Sequence, residues 1–432
     1  MAGQVAPTRA AKAAQPTAGA ALLRRVLDEL ARETHDHPGV TRAAYGAGEQ
    51  FAHDLVRREA EALGAVTRTD AAGNLYLTRP GSDPSLPALF FGSHLDSVPH
   101  GGNFDGAAGV VAGLAVLAEM AARNLVVRRD VTVMVTRAEE AVWFPVSYPG
   151  ARAALGRLAA DELEARRADT GRTLAEHMAD AGFDPETIRA GTPQVRPADI
   201  AAFVEVHIEQ GPRLAGMDRP YGIVTAINGG FRHLAARCIG AYAHSGAEPR
   251  FSRKDGVLGF ADLVQGLEAV WDRLEAEGRQ ATITFGRVES DPRQHGGSRV
   301  LGDIGFTLDI RSDRESTLED IAASIRTICR QIEVRRNVRF EFDAPLTWAP
   351  APMDAALVEK LTVVAGPASE VPLLASGAGH DTAAFAEAGV PSVMIFVRSE
   401  NGSHNPEEAM DASDLDAVVA MLVRFVTTFD GP

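Results

Sequence analysis

The sequence predicts an α/β protein, a helix-covered, mostly parallel sheet with a smaller α+β unit inserted into it. Three observations lead to that class. After a helical stretch from residue 20 to about 63, strand and helix signals alternate up to about 211, the pattern of strands joined by helical crossovers. After Pro212 the pattern shifts to strands of two-residue periodicity beside two long amphipathic helices. The apolar run PSVMIFV at 391–397 then restores the first pattern, which an insertion explains better than two domains in series.

Taken in order, residues 20 to about 63 space their apolar side chains helically, as in Leu22, Leu23, Val26, Leu27 and Leu30. LYL at 75–77 is a short strand and ALFF at 88–91 a stronger one. Residues 110–120 form an apolar helix entered through Asp105 and Gly106. VTVMV at 131–135 is β-branched and reads as buried on both faces, 161–181 as a polar helix, and AAFVEV at 201–206 as a strand. In the insertion, 223–243 holds strands interrupted by Gly229 and Gly230, and 257–274 is a helix. TIT at 282–284 and GFTLDI at 305–310 are strands, 318–333 is a second helix, and VRFEF at 338–342 alternates cleanly. The expected divisions are a flexible tail at 1–19, a first domain of 20–215 with 336–432, and a second of 216–335.

Composition narrows the function classes. At 432 residues the chain accommodates two domains, and 45% hydrophobic with 23% charged residues is an ordinary globular mixture. A formal net charge of −15 opposes a nucleic-acid partner, because phosphate binding needs a basic surface. Two cysteines, Cys238 and Cys329, cannot build a disulfide framework and fit a reducing compartment; Cys238 reads as a core residue. No apolar stretch approaches bilayer-spanning length, and the Ala-rich start lacks the continuous apolar segment of a signal peptide. The expectation is a cytoplasmic protein without a membrane partner.

Ligand-type side chains gather where the strands end. GSHLDSVPHGGNFDG at 92–106 places His94 after the 88–91 strand and Asp105 in the same glycine-rich connection. Glu139 and Glu140 follow the 131–135 strand, His207 the 201–206 strand, and His404 the 391–397 strand. Open α/β sheets place their sites beyond the carboxyl ends of the strands. Imidazole with carboxylate suits zinc, and also manganese, cobalt or nickel. A zinc ion with an open position takes about three protein ligands, so five candidates exceed one site. A carboxylate shared between two ions, as Asp105 could be, resolves the excess as a two-metal centre.

If Glu140 binds metal, Glu139 can reach the attacking water and serve as general base. An acidic pair alone is commonly a solvated loop; its company raises its significance. His35, His37, His53, His177 and His295 sit in polar or surface-helical settings and receive no role. His244 follows a strand of the insertion and could reach the sheet. Arg311 ends the 305–310 strand and could hold a substrate carboxylate bidentately, against the commoner alternative of a surface salt bridge. No Gly-x-Ser-x-Gly elbow occurs, which disfavours a serine hydrolase.

With these residues in view, the chain resembles the M20-type metallopeptidase superfamily, in the branch of N-carbamoyl-L-amino-acid hydrolases, β-ureidopropionases and allantoate amidohydrolases. The likeness spans roughly residues 20–429. Its carriers are 92–106, Glu139-Glu140, VHIEQG at 206–211, AHSG at 243–246, FTLDIR at 306–311, SGAGHD at 376–381 and GSHNP at 402–406. The resemblance implies a catalytic metal-binding domain and a ferredoxin-like lid and dimerisation domain at 216–335. It implies that His94 and His207 bind one divalent ion, Glu140 and His404 a second, and that Asp105 bridges. It makes Glu139 the base and has Asp96 orient His94, a supporting role with a plain physical basis. Gln210, His244, Ser298 and Arg311 would contact substrate. His207 with Gln210 favours this branch, since ordinary peptidases of the superfamily usually carry a carboxylate at the position of His207.

The implied protein is a homodimer acting on a small carboxylate-bearing molecule. The implied reaction is hydrolysis of the C–N bond of an N-carbamoyl amino acid or related ureido acid. The alternative, an N-acyl amino-acid amidohydrolase or dipeptidase, keeps the same metal centre. Four features depart from the family pattern, one of them a His404 loop one residue shorter than usual. AVWF at 141–144 stands where Gly-Ser-Arg-Phe is usual, Ser298 where Asn is usual, and AEPR at 247–250 where a Thr-Thr-Pro-Met run is usual. Trp143 therefore predicts an apolar, aromatic rim and an aromatic or larger acyl group.

Overall fold

The computed structural model describes residues 16–367 and 370–431. Of the tail expected at 1–19, residues 1–15 lie outside the described residues, and a helix already begins at Ala18, capped by the Thr17 hydroxyl. The chain forms two compact units. One runs up to Ile223 and takes up 356–372 and 388 onward; the other comprises 224–355 and 373–387. These limits differ from the expected divisions at 215 and 336. The stretch after 336 stays with the second unit because Arg339–Glu341 and Leu346–Trp348 both pair with Gly229–Ile239.

The first unit contains α1 (Ala18–Glu33), α2 (Ala47–Ala62), β1 (Val66–Thr69), β2 (Leu75–Arg79), β3 (Ala88–His94) and α3 (Ala107–Ala122). It continues with β4 (Val131–Thr136), β5 (Ile200–Ile208), β6 (Ser392–Val397) and α4 (Ala412–Thr428). Its strand order is β1-β2-β4-β3-β5-β6. Strands β4, β3, β5 and β6 run parallel, while β1 and β2 form an antiparallel edge. Every residue of β4, β5 and β6 is buried, as continuous apolar runs demand of a sheet covered on both faces. Helix α3 lies against β3 and β5 beneath α1 and α4. Its one charged residue, Glu119, accepts the Gly19 amide at 2.7 Å and pairs with Arg123 at 2.6 Å.

Two sequence expectations change here. The helical run from 20 to 63 is two helices, α1 and α2, broken between Glu33 and Ala47. Pro38 offers no amide and Gly39 adopts φ +83, so helix cannot propagate through that segment. The polar helix expected at 161–181 is mostly irregular. An α-helix occupies only Leu174–Asp180, started by a reciprocal capping box between Thr173 and Glu176, with a single 3-10 turn at Glu162–Glu164 before it.

The second unit is built on an antiparallel sheet. Its order is Val288–Glu289, Asp303–Ser312, Gly229–Ile239, Arg339–Glu341, with Thr282–Thr284 and Leu346–Trp348 pairing alongside. Asp303–Ser312 alternates burial residue by residue, which turns Ile304, Phe306, Leu308 and Ile310 toward one core. Helices Gly256–Ala276 and Glu315–Arg336 supply Leu263, Leu267, Ile321 and Ile325 to that core. Cys238 and Cys329 are buried within it as free thiols. Among the described residues, no helix is long and apolar enough to cross a membrane.

Candidate active site and metal centre

The parallel strands of the first unit deliver side chains to one place. His94 closes β3, His207 sits one residue from the end of β5, and Glu139, Glu140 and His404 lie in the segments that follow β4 and β6. Asp105 lies between β3 and α3. Gly106 is required beside it, because φ is +65 there and a Cβ would meet the His94 ring at 2.4 Å. Three non-glycine residues next to or within the site share the left-handed region, Ala138 (φ +57), Gln210 (φ +60) and His404 (φ +60). Such conformations persist where surrounding bonds over-determine them, and they cluster at functional sites.

Asp105 stands at the centre. Its Oδ1 lies 3.1 Å from His207 Nε2 and 3.6 Å from His94 Nε2. Its Oδ2 lies 3.4 Å from His404 Nε2, which in turn is 3.5 Å from Glu140 Oε1. Two groups that share Asp105 could therefore each hold an ion: His94, Asp105 and His207, and Asp105, Glu140 and His404. The donor set fits divalent cations. His94 Nδ1 faces the Asp96 carbonyl at 3.1 Å and His207 Nδ1 the Ile208 carbonyl at 2.9 Å, which presents Nε2 of each ring to the centre. His94 Nε2 and Glu140 Oε1 are buried without a hydrogen-bond partner among the described residues.

Electrostatics agree. Burial opposes charge on His94, yet Glu139, Asp96 and Asp105 raise its pKa well above the usual imidazole value. Burial likewise works against an ionised Asp105, but His207, His404 and His94 hold it well below the carboxylate range. Burial and the neighbouring Asp105 charge push Glu140 up to about 7. The hydrogen bond to Asp105 takes His404 up to about 9. Protons retained at these atoms mark places where positive charge is stabilised, and a divalent cation supplies that charge.

Asp96 joins the parts. Its Oδ1 accepts the Glu139 amide at 3.1 Å and lies 3.4 Å from His94 Nδ1, while Oδ2 accepts the Glu140 amide at 3.0 Å. Glu139 Oε2 is 3.9 Å from His94 Nε2, which sets the second carboxylate beside the first ion group. Gln210 Nε2 donates to Asp105 Oδ2 at 2.8 Å. Residues that sequence reasoning passed over complete the support. The Ser403 hydroxyl is 2.6 Å from Asp105 Oδ2 and 2.5 Å from Glu408 Oε2, and Glu408 Oε1 accepts the amides of Phe104 and Asp105. Arg42, fully buried, ties down the 95–103 segment through Leu95 O and Asn103 Oδ1. Ser403 falls within the GSHNP motif at 402–406, whereas no local motif marks Glu408 or Arg42, which only their bonds reveal.

The remaining expected contacts lie in the second unit. His244 is exposed, and its Nδ1 accepts the Gly246 and Ala247 amides at 3.2 Å, which leaves Nε2 as a donor. The Ser298 carbonyl accepts the Ser245 amide, and Arg299 pairs with His244, so Ser298 and His244 are neighbours. Arg311 is already engaged. Asp309 takes its Nε at 3.0 Å and Nη2 at 3.3 Å, and Gly377 O takes Nη1 at 2.8 Å, leaving two of five donor protons. Trp143 is not a rim residue: it is 8% exposed, packs with Tyr45 and Phe144, and donates its indole N–H to Ser97 O at 2.8 Å. Val142, half exposed, and Ala141 are the outward side chains of that stretch. His53, expected at the surface, is fully buried in α2.

Comparison with known proteins follows the same lines. Residues 90–428 match peptidase family M20/M25/M40. An N-carbamoyl-L-amino-acid amidohydrolase of Paenarthrobacter aurescens is 32% identical over 94% of this chain and 97% of its own length. An allantoate amidohydrolase of Escherichia coli is 31% identical over 87% of this chain and 90% of its own. A hydantoinase/carbamoylase family amidase from Burkholderia ambifaria superimposes with a TM-score of 0.83 at 28% identity, covering 94% of this chain and 95% of that one. On the extent of the family match, which runs from β3 through α4, the chain belongs to peptidase family M20/M25/M40.

Proposed function

We propose that the protein is a dinuclear metal amidohydrolase that cleaves the C–N bond of an N-carbamoyl amino acid or related ureido acid. The observation that carries this reading is the sharing of Asp105 between two ligand groups. The activities named for the amidohydrolase relatives support the substrate class. His94 and His207 would hold one divalent ion, Glu140 and His404 the other, with Asp105 between them; zinc suits these donors, with manganese, cobalt or nickel as alternatives. When bound, such a pair polarises a carbonyl oxygen and makes water acidic enough to attack at neutral pH.

The chain's own residues do the rest. Glu139 takes the proton of the attacking water and passes it to the leaving nitrogen, a role its carboxylate can fill from beside His94. Asp96 fixes the backbone of Glu139 and Glu140 and the ring of His94. The family resemblance assigns Arg311, which has two donor protons remaining, to the substrate carboxylate, and Gln210, His244 and Ser298 to substrate contact. Water adds to the carbamoyl carbon and one of its two C–N bonds breaks, the freed nitrogen taking the proton from Glu139; the carbamic acid that remains then breaks its own C–N bond to give carbon dioxide and the second amine, so that ammonia, carbon dioxide and the amino acid are the products. A homodimer belongs to the same reading and is checked by light scattering.

The test is a panel of N-carbamoyl, N-formyl and N-acyl amino acids with zinc- or manganese-loaded protein, following ammonia and free carboxylic acid separately. Ammonia from the carbamoyl compounds supports the reading. Carboxylic acid from N-acyl compounds, without ammonia from the others, replaces it with the acylase alternative.

A further inference from the structure

Ala138 immediately precedes the paired carboxylates, and its left-handed backbone is the turn that aims them. An L-residue with a Cβ resists that conformation. The bonds that hold it come largely from α2. Glu49, fully buried in the first turn of that helix, accepts the Ala138 amide on Oε1 at 3.1 Å. Its Oε2 accepts the Tyr45 amide at 2.6 Å and Arg137 Nη1 at 2.8 Å. Arg137, 1% exposed, is pinned further by Gly73 O, Gln50 Oε1 and, through its own amide, Asn74 Oδ1. On the far side of Ala138, the amides of Glu139 and Glu140 go to Asp96. The segment is thus clamped by a carboxylate on each side, and only one of those carboxylates touches His94.

We infer that Glu49 is a positioning residue for the Glu139–Glu140 pair, acting through the Ala138 amide and the buried Arg137. The inference rests on the proposed roles of Glu139 as base and Glu140 as ligand. Without the Glu49 carboxylate, Ala138 relaxes toward ordinary backbone angles and both carboxylates swing from their aim. Truncating groups that orient ligands typically costs about 10–100-fold in metal affinity or activity.

The experiment compares wild type, Glu49→Gln and Glu49→Gln combined with Ala138→Gly. Each is measured for kcat and KM per folded, zinc-loaded chain, and for zinc binding by titration of the metal-free protein. Expected for Glu49→Gln is a kcat lowered about 10–100-fold with KM changed less than about threefold, and one zinc equivalent bound about tenfold more weakly. Glycine adopts positive φ without resistance, so Ala138→Gly should restore at least about fivefold of the lost kcat. Should Glu49→Gln not fold, Glu49→Asp carries the same comparison, keeping the charge against Arg137 while withdrawing from the Ala138 amide. Wild-type kcat and zinc isotherm with only a lowered Tm would overturn the inference and leave Glu49 a purely structural residue. A Glu139→Gln control that keeps full turnover would overturn the site reading beneath it, a distinct result.

Discussion

His404 Nε2 lies 3.4 Å from Asp105 Oδ2. The other oxygen of that carboxylate faces His207 at 3.1 Å, so one side chain serves imidazoles on both sides. Asp105→Asn keeps the shape but removes the charge and one acceptor oxygen. Zinc content, measured by mass spectrometry of the dialysed protein, should fall below two ions per chain. Turnover should drop by at least the ~10²–10³-fold of losing one aimed electrostatic group. Full zinc content with wild-type turnover would count against a bridging role.

Metal binding should depend on pH in a stated direction. In the metal-free protein His404 keeps its proton up to about 9 and Glu140 up to about 7. A cation needs both unprotonated, so protons compete with it below those values. Apparent zinc affinity should rise from pH 6 toward 9, with proton release on binding that shrinks as pH rises. Calorimetry in buffers of different ionisation enthalpy reads the released protons. An affinity flat across that range would contradict the arrangement.

Asp96 is fully buried and accepts two backbone amides. Asp96→Asn leaves one acceptor and sets an amide N–H against the other donor. We expect turnover or zinc affinity to fall about 10–100-fold. Thermal unfolding of the zinc-free variant separates this from a general loss of stability, and an unchanged metal isotherm and kcat would dismiss the role.

Trp143 bears on stability more than on substrate choice. Trp143→Phe strips Ser97 O of its buried donor, which costs about 1–3 kcal/mol. The ratio of kcat/KM for aromatic over aliphatic carbamoyl amino acids should stay within about twofold, whereas Val142→Ser, at an exposed position, should shift it. A large change in that ratio for Trp143→Phe would restore the rim assignment.

The metal-ligand candidates were legible because each follows a strong apolar strand, and a parallel sheet brings such ends together whatever their distance in sequence. Strands β4, β5 and β6 could be read for the same reason: continuous apolar runs leave few alternatives. The misreadings have a common cause. Exposure is a tertiary property, so Trp143 looked like a rim and His53 like a surface residue, though both are buried. The break after α1 and the irregular stretch before Leu174 turn on backbone conformation and caps that periodicity does not register. Supporting groups such as Glu49, Arg42 and Glu408 act through backbone amides and single oxygens far away in the chain, and leave no local pattern.

The most direct test is anomalous diffraction from crystals of the zinc-loaded protein, with data on both sides of the zinc edge. The account predicts two peaks about 3.5–4 Å apart, one against His94 and His207, the other against Glu140 and His404, with Asp105 reaching both. A single peak, or peaks remote from Asp105, would contradict it.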